Sequence, residues 1–164
     1  MDIIVIYWQG IKRYIFTAID CFSKIPLAIM YKSKSSLCAQ DFLKRLYYLF
    51  DGKIDNLQTD NDSTFSGLFQ QAVQELQLRH YFNRIRTPQD NPINERFNRT
   101  LKEEFLALGN FHPDPKVFNS KLRQWLEHFI CQRPHEALGY KTPIEVAWGN
   151  NPQLSKMYSS DTIT

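Results

Sequence analysis

A chain of 164 residues, 43% apolar and 14% aromatic, has material for one domain around one ordinary core, which excludes a multidomain assembly and wholesale disorder. Twenty Lys and Arg oppose 17 Asp and Glu, and the resulting net charge of +3 is too mild to signal nucleic acid by itself. The excess is concentrated, however. Residues 79–102 (Arg79, Arg84, Arg86, Arg96, Arg99 and Lys102 against Asp90 and Glu95) carry a balance of +4, and the rest of the chain nets −1.

In chain order, residues 2–8, 13–20 and 25–31 are rich in β-branched and aromatic side chains. Gln9-Gly10 and Phe22-Ser23-Lys24 punctuate them at hairpin spacing, which predicts three antiparallel strands. The period then changes. Ala39, Phe42, Leu43, Leu46 and Phe50 form the stripe of an amphipathic helix, with Ser35 or Ser36 as its cap. Residues 54–59 read as a short strand, Phe65, Leu68, Phe69, Ala72, Val73 and Leu76 as a second helix, and residues 78–82 as a further strand. Pro92 suits a first helical position, capped by Asp90 or Asn91. A third helix follows, with the stripe Ile93, Phe97, Leu101, Phe105 and Leu108. Val117 or Phe118 with Leu122, Trp125, Leu126 and Phe129 predict a fourth, stopped by Pro134. Residues 1–148 are thus expected to form one domain, with 149–164 a flexible tail. The order β-β-β-α-β-α-β-α-α predicts an α/β fold, a mixed five-stranded sheet flanked by helices.

Cys21, Cys38 and Cys131 are odd in number and unpaired in spacing, which predicts buried thiols in a reducing compartment. The longest apolar runs, at 3–8 and 25–31, fall far short of the ~20 residues of a membrane helix. Met1-Asp2 does not open a secretory leader. A soluble, intracellular protein without a membrane partner is expected.

Three carboxylates stand where α/β proteins build sites: Asp2 at a strand start, Asp60 at a strand end and Glu95 in the first turn of the third helix. Each alone is more often a turn, cap or solvated residue. At 100° per residue, with Ile93 as zero, the apolar stripe of the third helix covers roughly 0–120°. Glu95, Lys102 and Arg99 fall near about 200°, 180° and 240°, so they face away from the core together. That face is either a surface ion-pair face or an acid that holds a metal beside cations that hold phosphates.

Thr59-Asp60-Asn61 followed by Phe65, and Pro88-Gln89-Asp90-Asn91-Pro92-Ile93-Asn94-Glu95-Arg96-Phe97-Asn98-Arg99-Thr100-Leu101-Lys102, resemble the second and third blocks of the retroviral-integrase-like DDE transposases of bacterial insertion sequences. Asp60 and Glu95 lie 35 positions apart, close to that family's spacing. Asp2 stands at the place of the first-strand aspartate, and residues 18–23 resemble the close of the second strand. Residues 133–138 with Thr142-Pro143 resemble the block that ends these catalytic regions.

The resemblance implies an RNase H-like fold in which Asp2, Asp60 and Glu95 are catalytic and hold two divalent ions, Mg²⁺ or Mn²⁺. Hard oxygen donors suit these ions, and a metal pair can activate an attacking oxygen and stabilise a departing one. It further implies strand cleavage and strand transfer on element ends and target DNA by a homo-oligomer in the bacterial cytoplasm, at the nucleoid. Lys102 with Arg99, and Arg96, Arg86 and Arg84 beside them, would contact DNA.

Two departures matter. Asp62 replaces the usual glycine after Asp60-Asn61, where a left-handed backbone is expected. The rest of the first strand and the helix-turn-helix regions that usually precede the aspartate are not in this sequence, which implies a catalytic segment or a degenerate fragment. A catalytically inactive remnant that keeps DNA binding or oligomerisation, and an RNase H-like nuclease acting by hydrolysis alone, are the competing expectations. An EF-hand is rejected, since Phe65 and Gln71 occupy its glycine and glutamate positions. His128, Cys131 and His135 lack the pairing of a zinc site.

Overall fold

Gln9 and Gly10 both adopt positive φ (46° and 77°), the two-residue turn whose twist matches a tight antiparallel hairpin. It joins β1 (Asp2–Trp8) to β2 (Ile11–Ile19) in the register Asp2↔Thr17 through Trp8↔Ile11. The second turn is tied by the Asp20 carboxylate, which accepts from the Ser23 amide (2.7 Å) and hydroxyl (2.6 Å), and β3 (Pro26–Tyr31) returns antiparallel to β2. The computed structural model describes residues 1–83 and 92–150. After β3 come α1 (Ser36–Leu49), β4 (Asn56–Thr59), a 3-10 turn (Ser63–Phe65), α2 (Leu68–Glu75) and β5 (Arg79–Phe82). Then follow α3 (Pro92–Leu101), a π-helix (Lys102–Asn110), α4 (Pro115–Cys131), a second 3-10 turn (Glu136–Leu138) and α5 (Pro143–Asn150).

The five strands form two hydrogen-bonded ladders, antiparallel β1-β2-β3 and parallel β4-β5. The Met1 amino group, which donates to the Gln58 carbonyl, links β1 to β4. Alternation along β2 sends side chains to two cores. Ile15 joins Phe97, Leu101, Phe105, Phe118 and Leu122 of the α3, π-helix and α4 layer. Phe16 and Ala18 join Ala39, Phe42, Leu43, Leu46, Phe65 and Phe69 of the α1 and α2 layer. Helices on both faces of a mixed sheet make this an RNase H-like α/β fold.

Several expectations are corrected here. The second helix begins at Leu68, not Phe65, because Gly67 at its cap has φ 53° and separates it from the 3-10 turn that holds Phe65. Leu108 leaves the third-helix stripe and is 73% exposed. The i→i+5 bonding of residues 102–110 widens the turn and breaks the 3.6-residue phase carried by Phe97, Leu101 and Phe105. Cys21 is exposed, because it lies in the β2–β3 turn, and Cys38 and Cys131 are only half-buried, all as free thiols. Helix α5, which the apolar periodicity does not announce, begins with a capping box in which the Thr142 amide donates to Glu145 Oε2 (2.7 Å) and the Glu145 amide to Thr142 Oγ1 (3.4 Å). Residues 151–164, and residues 84–91 with Arg84, Arg86, Asp90 and Asn91, lie outside the described residues.

β3 is the edge of its ladder, and α4 covers that edge through one side chain. Asn119 Oδ1 accepts from the Met30 amide (2.8 Å), and its Nδ2 donates to the Met30 carbonyl (3.0 Å), so the side-chain amide substitutes for a neighbouring strand. Asn119→Ala is expected to cost about 1–3 kcal/mol by leaving both groups without a partner. Asn119→Asp, which keeps the acceptor but sets a carboxylate oxygen against the Met30 carbonyl, should also cost stability at neutral pH. Urea midpoints of the two variants check this; equal midpoints for Asn119→Ala and the parent would refute it.

Candidate active site

Asp2 opens β1 opposite Thr17 of β2, and α3 packs against β2. The helix presents two buried asparagines one turn apart, Asn94 and Asn98, 2% and 6% exposed. Asn98 Nδ2 donates to Asp2 Oδ2 (2.6 Å), the Thr17 hydroxyl donates to Asn98 Oδ1 (2.8 Å), and Asn94 Nδ2 donates to the Thr17 hydroxyl oxygen (3.2 Å). The Ile3 amide donates to Asp2 Oδ1 at 2.7 Å. Asp2 therefore accepts a hydrogen bond on each carboxylate oxygen and is fixed to α3.

Asp60 follows β4 and is half-buried. Burial, and next the negative charge of Asp2, push its carboxyl above the ordinary value. Asp2 and Asp60 are therefore electrostatic neighbours. The turn after Asp60 is built by Asp62, whose φ of −77° is extended, so the expected left-handed backbone is absent. Asp62 Oδ1 instead accepts from the Thr64 amide at 2.9 Å and caps the 3-10 turn, while Oδ2 pairs with Lys34. Burial raises the Asp62 carboxyl, but the bonds from Lys34 and Thr64 outweigh it and hold it low. This charge is thus compensated locally.

Glu95 is exposed on α3, one residue after Asn94 and three before Asn98. Arg96, Arg99 and Lys102 are exposed as well, so the outward face read from the helical angles of Glu95, Arg99 and Lys102 is present. The ion pairs found among the described residues, Lys34–Asp62, Arg45–Asp41 and Arg133–Glu104, leave these three cations out. Arg84 and Arg86 fall outside the described residues. Among the described residues, no group of three His, Cys, Asp or Glu side chains converges to hold a metal ion. The donors are the right hard oxygens, and Asp2 keeps lone pairs beside the bond from Asn98, but among the described residues Glu95 does not complete a trio with Asp2 and Asp60. In this conformation the three carboxylates are not drawn together into one metal-holding group.

Thr17, Asn94 and Asn98 are missed by a reading that places polar residues on the outer face. Their signal is angular: with Ile93 as zero, Asn94 and Asn98 fall near about 100° and 140°, at or beside the apolar arc.

His80 on β5 buttresses the Asp60 turn. The Thr59 hydroxyl donates to the Asp60 carbonyl (3.0 Å) and so receives the His80 Nε2 proton (2.9 Å), while Gln70 Nε2 donates to His80 Nδ1 (3.0 Å). This holds a neutral imidazole, and burial, followed by the Met1 amino group, lowers its pKa. The unfolded chain therefore binds a proton more readily. The contribution of His80 is complete above the unfolded value of about 6.5 and is lost as pH falls below it toward the folded value. The unfolding free energy should drop between roughly pH 7.5 and 5.5, and His80→Gln should reduce that drop. His135 and the Met1 amino group, the latter lowered to about 6, are both lowered first by burial and contribute to the same drop. An unchanged pH slope in His80→Gln would exclude this role.

The sheet, the paired aspartates and the asparagine-bearing helix across them define a class, the RNase H-like core of the polynucleotidyl transferases. The chain belongs to the integrase core domain family: one profile so described matches residues 1–88, and a second with the same description matches residues 76–143. It is 32% identical over 88 residues to the transposase InsD for insertion element IS2A/D/F/H/I/K of Escherichia coli, an alignment covering 53% of this chain and 29% of that protein. The same figures hold for the InsD transposase of IS2D in E. coli K12, so the chain spans under half the length of these relatives. The fold matches the catalytic core domain of BIV integrase (TM-score 0.68, 17% identity, 93% of this chain and 95% of that one). It also matches the HTLV-2 integrase catalytic core domain solved with magnesium in a trimeric form (TM-score 0.67, 19% identity, 88% and 91%). A chain in the simian T-cell lymphotropic virus intasome structure gives 0.73 at 21% identity, covering 88% of this chain and 51% of that one. Among the described residues, no helix is long and apolar enough to cross a membrane.

Proposed function

We propose that this chain is a DNA-binding integrase core whose catalytic carboxylates are not assembled in its resting conformation. The observation that carries the reading is α3 itself. Its buried face binds Asp2 through Asn98, while its outer face carries Arg96, Arg99 and Lys102 exposed beside Glu95. Exposed cations on one helix face suit a phosphate backbone, and affinity gained from them falls steeply with salt. Arg84 and Arg86 extend the same basic stretch in sequence. The DNA-bound species in this reading is a homo-oligomer in the cytoplasm.

Arg99→Ala with Lys102→Ala is expected to weaken binding to duplex DNA at all sequences. It should also flatten the plot of log affinity against log salt by about 2, one for each phosphate that these side chains neutralise. An unchanged slope would remove α3 from the DNA interface. A second reading, strand cleavage and transfer on element ends and target DNA with Asp2, Asp60 and Glu95 catalytic and Mg²⁺ or Mn²⁺ bound, is favoured by the mutual closeness of Asp2 and Asp60. The first reading expects no joined product from labelled DNA ends with either ion. Product that disappears in both Asp60→Asn and Glu95→Gln, with DNA binding retained, would establish the second.

A further inference from the structure

From Ile3 to Ile19 the β1–β2 hairpin contains Lys12 and Arg13, four aromatic residues, and neither Asp nor Glu. Alternation divides the rings between the two faces of the sheet. Trp8 turns to the α3 and α4 side, where its ring lies 5.5 Å from Phe111, and Phe16 is enclosed beneath α1. Tyr7 stands on the α1 face beyond the cover of that helix and is 74% exposed. The register sets Tyr7 opposite Lys12 and Val5 opposite Tyr14. Tyr7 and Tyr14 are therefore diagonal neighbours on one face, about 7–8 Å apart.

Lys12 joins the two rings. Its Nζ rests 5.1 Å from the centre of the Tyr7 ring and 5.6 Å from that of Tyr14. Ring quadrupoles hold an exposed ammonium weakly, so its charge stays available to a stronger partner. The same end of the sheet gathers further cations. Tyr14 pairs with Tyr31, the last residue of β3, and the chain continues into exposed Lys32 and Lys34. Lys34 pairs with Asp62, and Asp41, which accepts from the Tyr31 hydroxyl, is matched by Arg45. Lys12, Arg13 and Lys32 remain as surplus positive charge around the rings. Rings spaced along a bare sheet face, with cations between and beside them, are complementary to a flexible polyanion with flat bases: the bases stack and the phosphates take the cations. A duplex does not fit in this way, because its bases are already stacked on one another.

We propose that the α1-side face of the β1–β2 hairpin is a platform for single-stranded DNA, on which two successive bases stack on Tyr7 and Tyr14 while Lys12 leaves the rings for the phosphate between them. The platform accepts any sequence, since every base offers a ring face. It lies on the opposite side of the sheet from α3, so it is distinct from the duplex-binding face of that helix and does not rest on it.

The probe is a fluorescein-labelled oligothymidine of about 12 nucleotides, titrated into the full chain at low salt and read by anisotropy, beside a duplex of equal length. Saturable single-strand binding is expected. Tyr7→Ala should weaken it at least about fivefold, while Tyr7→Phe, which keeps the ring, stays within about twofold of the parent. Lys12→Ala should flatten the slope of log affinity against log salt by about 0.7, the share of one phosphate on a single strand. Arg99→Ala with Lys102→Ala should leave single-strand binding unchanged, and Tyr7→Ala should leave duplex binding unchanged, so failure at one surface is read apart from failure at the other. In the parent chain, an oligonucleotide carrying 5-iodouracil should photo-cross-link to Tyr7 or Tyr14, a readout that needs no variant to fold. No single-strand binding, equal affinity of Tyr7→Ala and the parent, single-strand binding abolished by Arg99→Ala with Lys102→Ala, or cross-links confined to other residues would overturn the proposal. Self-association at raised protein concentration that Tyr7→Ala abolishes would assign the face to a second copy and equally overturn it.

Discussion

Asn98→Asp is expected to lower the unfolding free energy at neutral pH by about 3–5 kcal/mol, the cost of a buried charge without its partner. Asn98 Nδ2 lies 2.6 Å from Asp2 Oδ2, at a residue 6% exposed. An aspartate there brings two carboxylate oxygens to hydrogen-bonding distance, and Asp60 adds a third negative charge nearby. Two such groups cannot both ionise cheaply, so the pair keeps one proton and its upper pKa rises above the unfolded value. The sign follows from linkage. The folded pair binds more protons than the unfolded chain, so the variant is relatively stable in acid and loses stability as pH rises through the elevated value. Asn98→Ala separates the added charge from the missing donor: it should cost about 1–3 kcal/mol with little dependence on pH. Thermal midpoints at roughly pH 4.5 and 7.5 distinguish the two, with Asn98→Asp falling by around 10 °C more than Asn98→Ala at the higher pH. Parallel behaviour of the variants at both values would mean that Asn98 does not contact Asp2 in solution.

Phe16→Ala should be comparably severe for a different reason. Phe16 is fully buried on the α1 face of β2, with its ring 5.0 Å from Tyr31 and 5.9 Å from Phe42. Truncation strips apolar packing from these rings and leaves a cavity between sheet and helix, about 3–5 kcal/mol against a total stability of about 5–15 kcal/mol. The urea midpoint should fall steeply at unchanged slope. Phe16→Leu, which keeps most of the volume, should fall much less. Similar midpoints for the two would show that the space is filled by relaxation of α1.

Elements whose cause is local are legible in the sequence. Gln9-Gly10 forms its hairpin because a two-residue loop between strands selects this turn and Gly10 takes its positive φ at no steric cost, with Gln9 held at φ 46° by the pairing on either side. Ser35 caps α1 through the Cys38 amide (3.3 Å), and the stripe Ala39, Phe42, Leu43 and Leu46 is buried as its period requires. Thr142 and Glu145 signal α5 in the same local way, although periodicity alone does not reveal that helix. The π-helix is not legible, since apolar spacing does not distinguish i→i+4 from i→i+5 bonding until packing selects one. Nor is the role of Asp62, because the expected left-handed turn is replaced by a cap whose charge is balanced by Lys34, 28 positions away.

By itself, the sequence determined the strand and helix order, the family, the clustering of cations around Glu95 and the residue types of a hard-oxygen site. These depend on composition, period and motif, all of which are written along the chain. Only the tertiary structure decided what surrounds the carboxylates. Asn98, 96 positions from Asp2, takes the place beside it, and Thr17, Asn94 and Asn98 join in one buried chain of hydrogen bonds. Contacts of that range are set by how α3 packs across the sheet, and no local pattern encodes which turn of a helix meets which end of a strand.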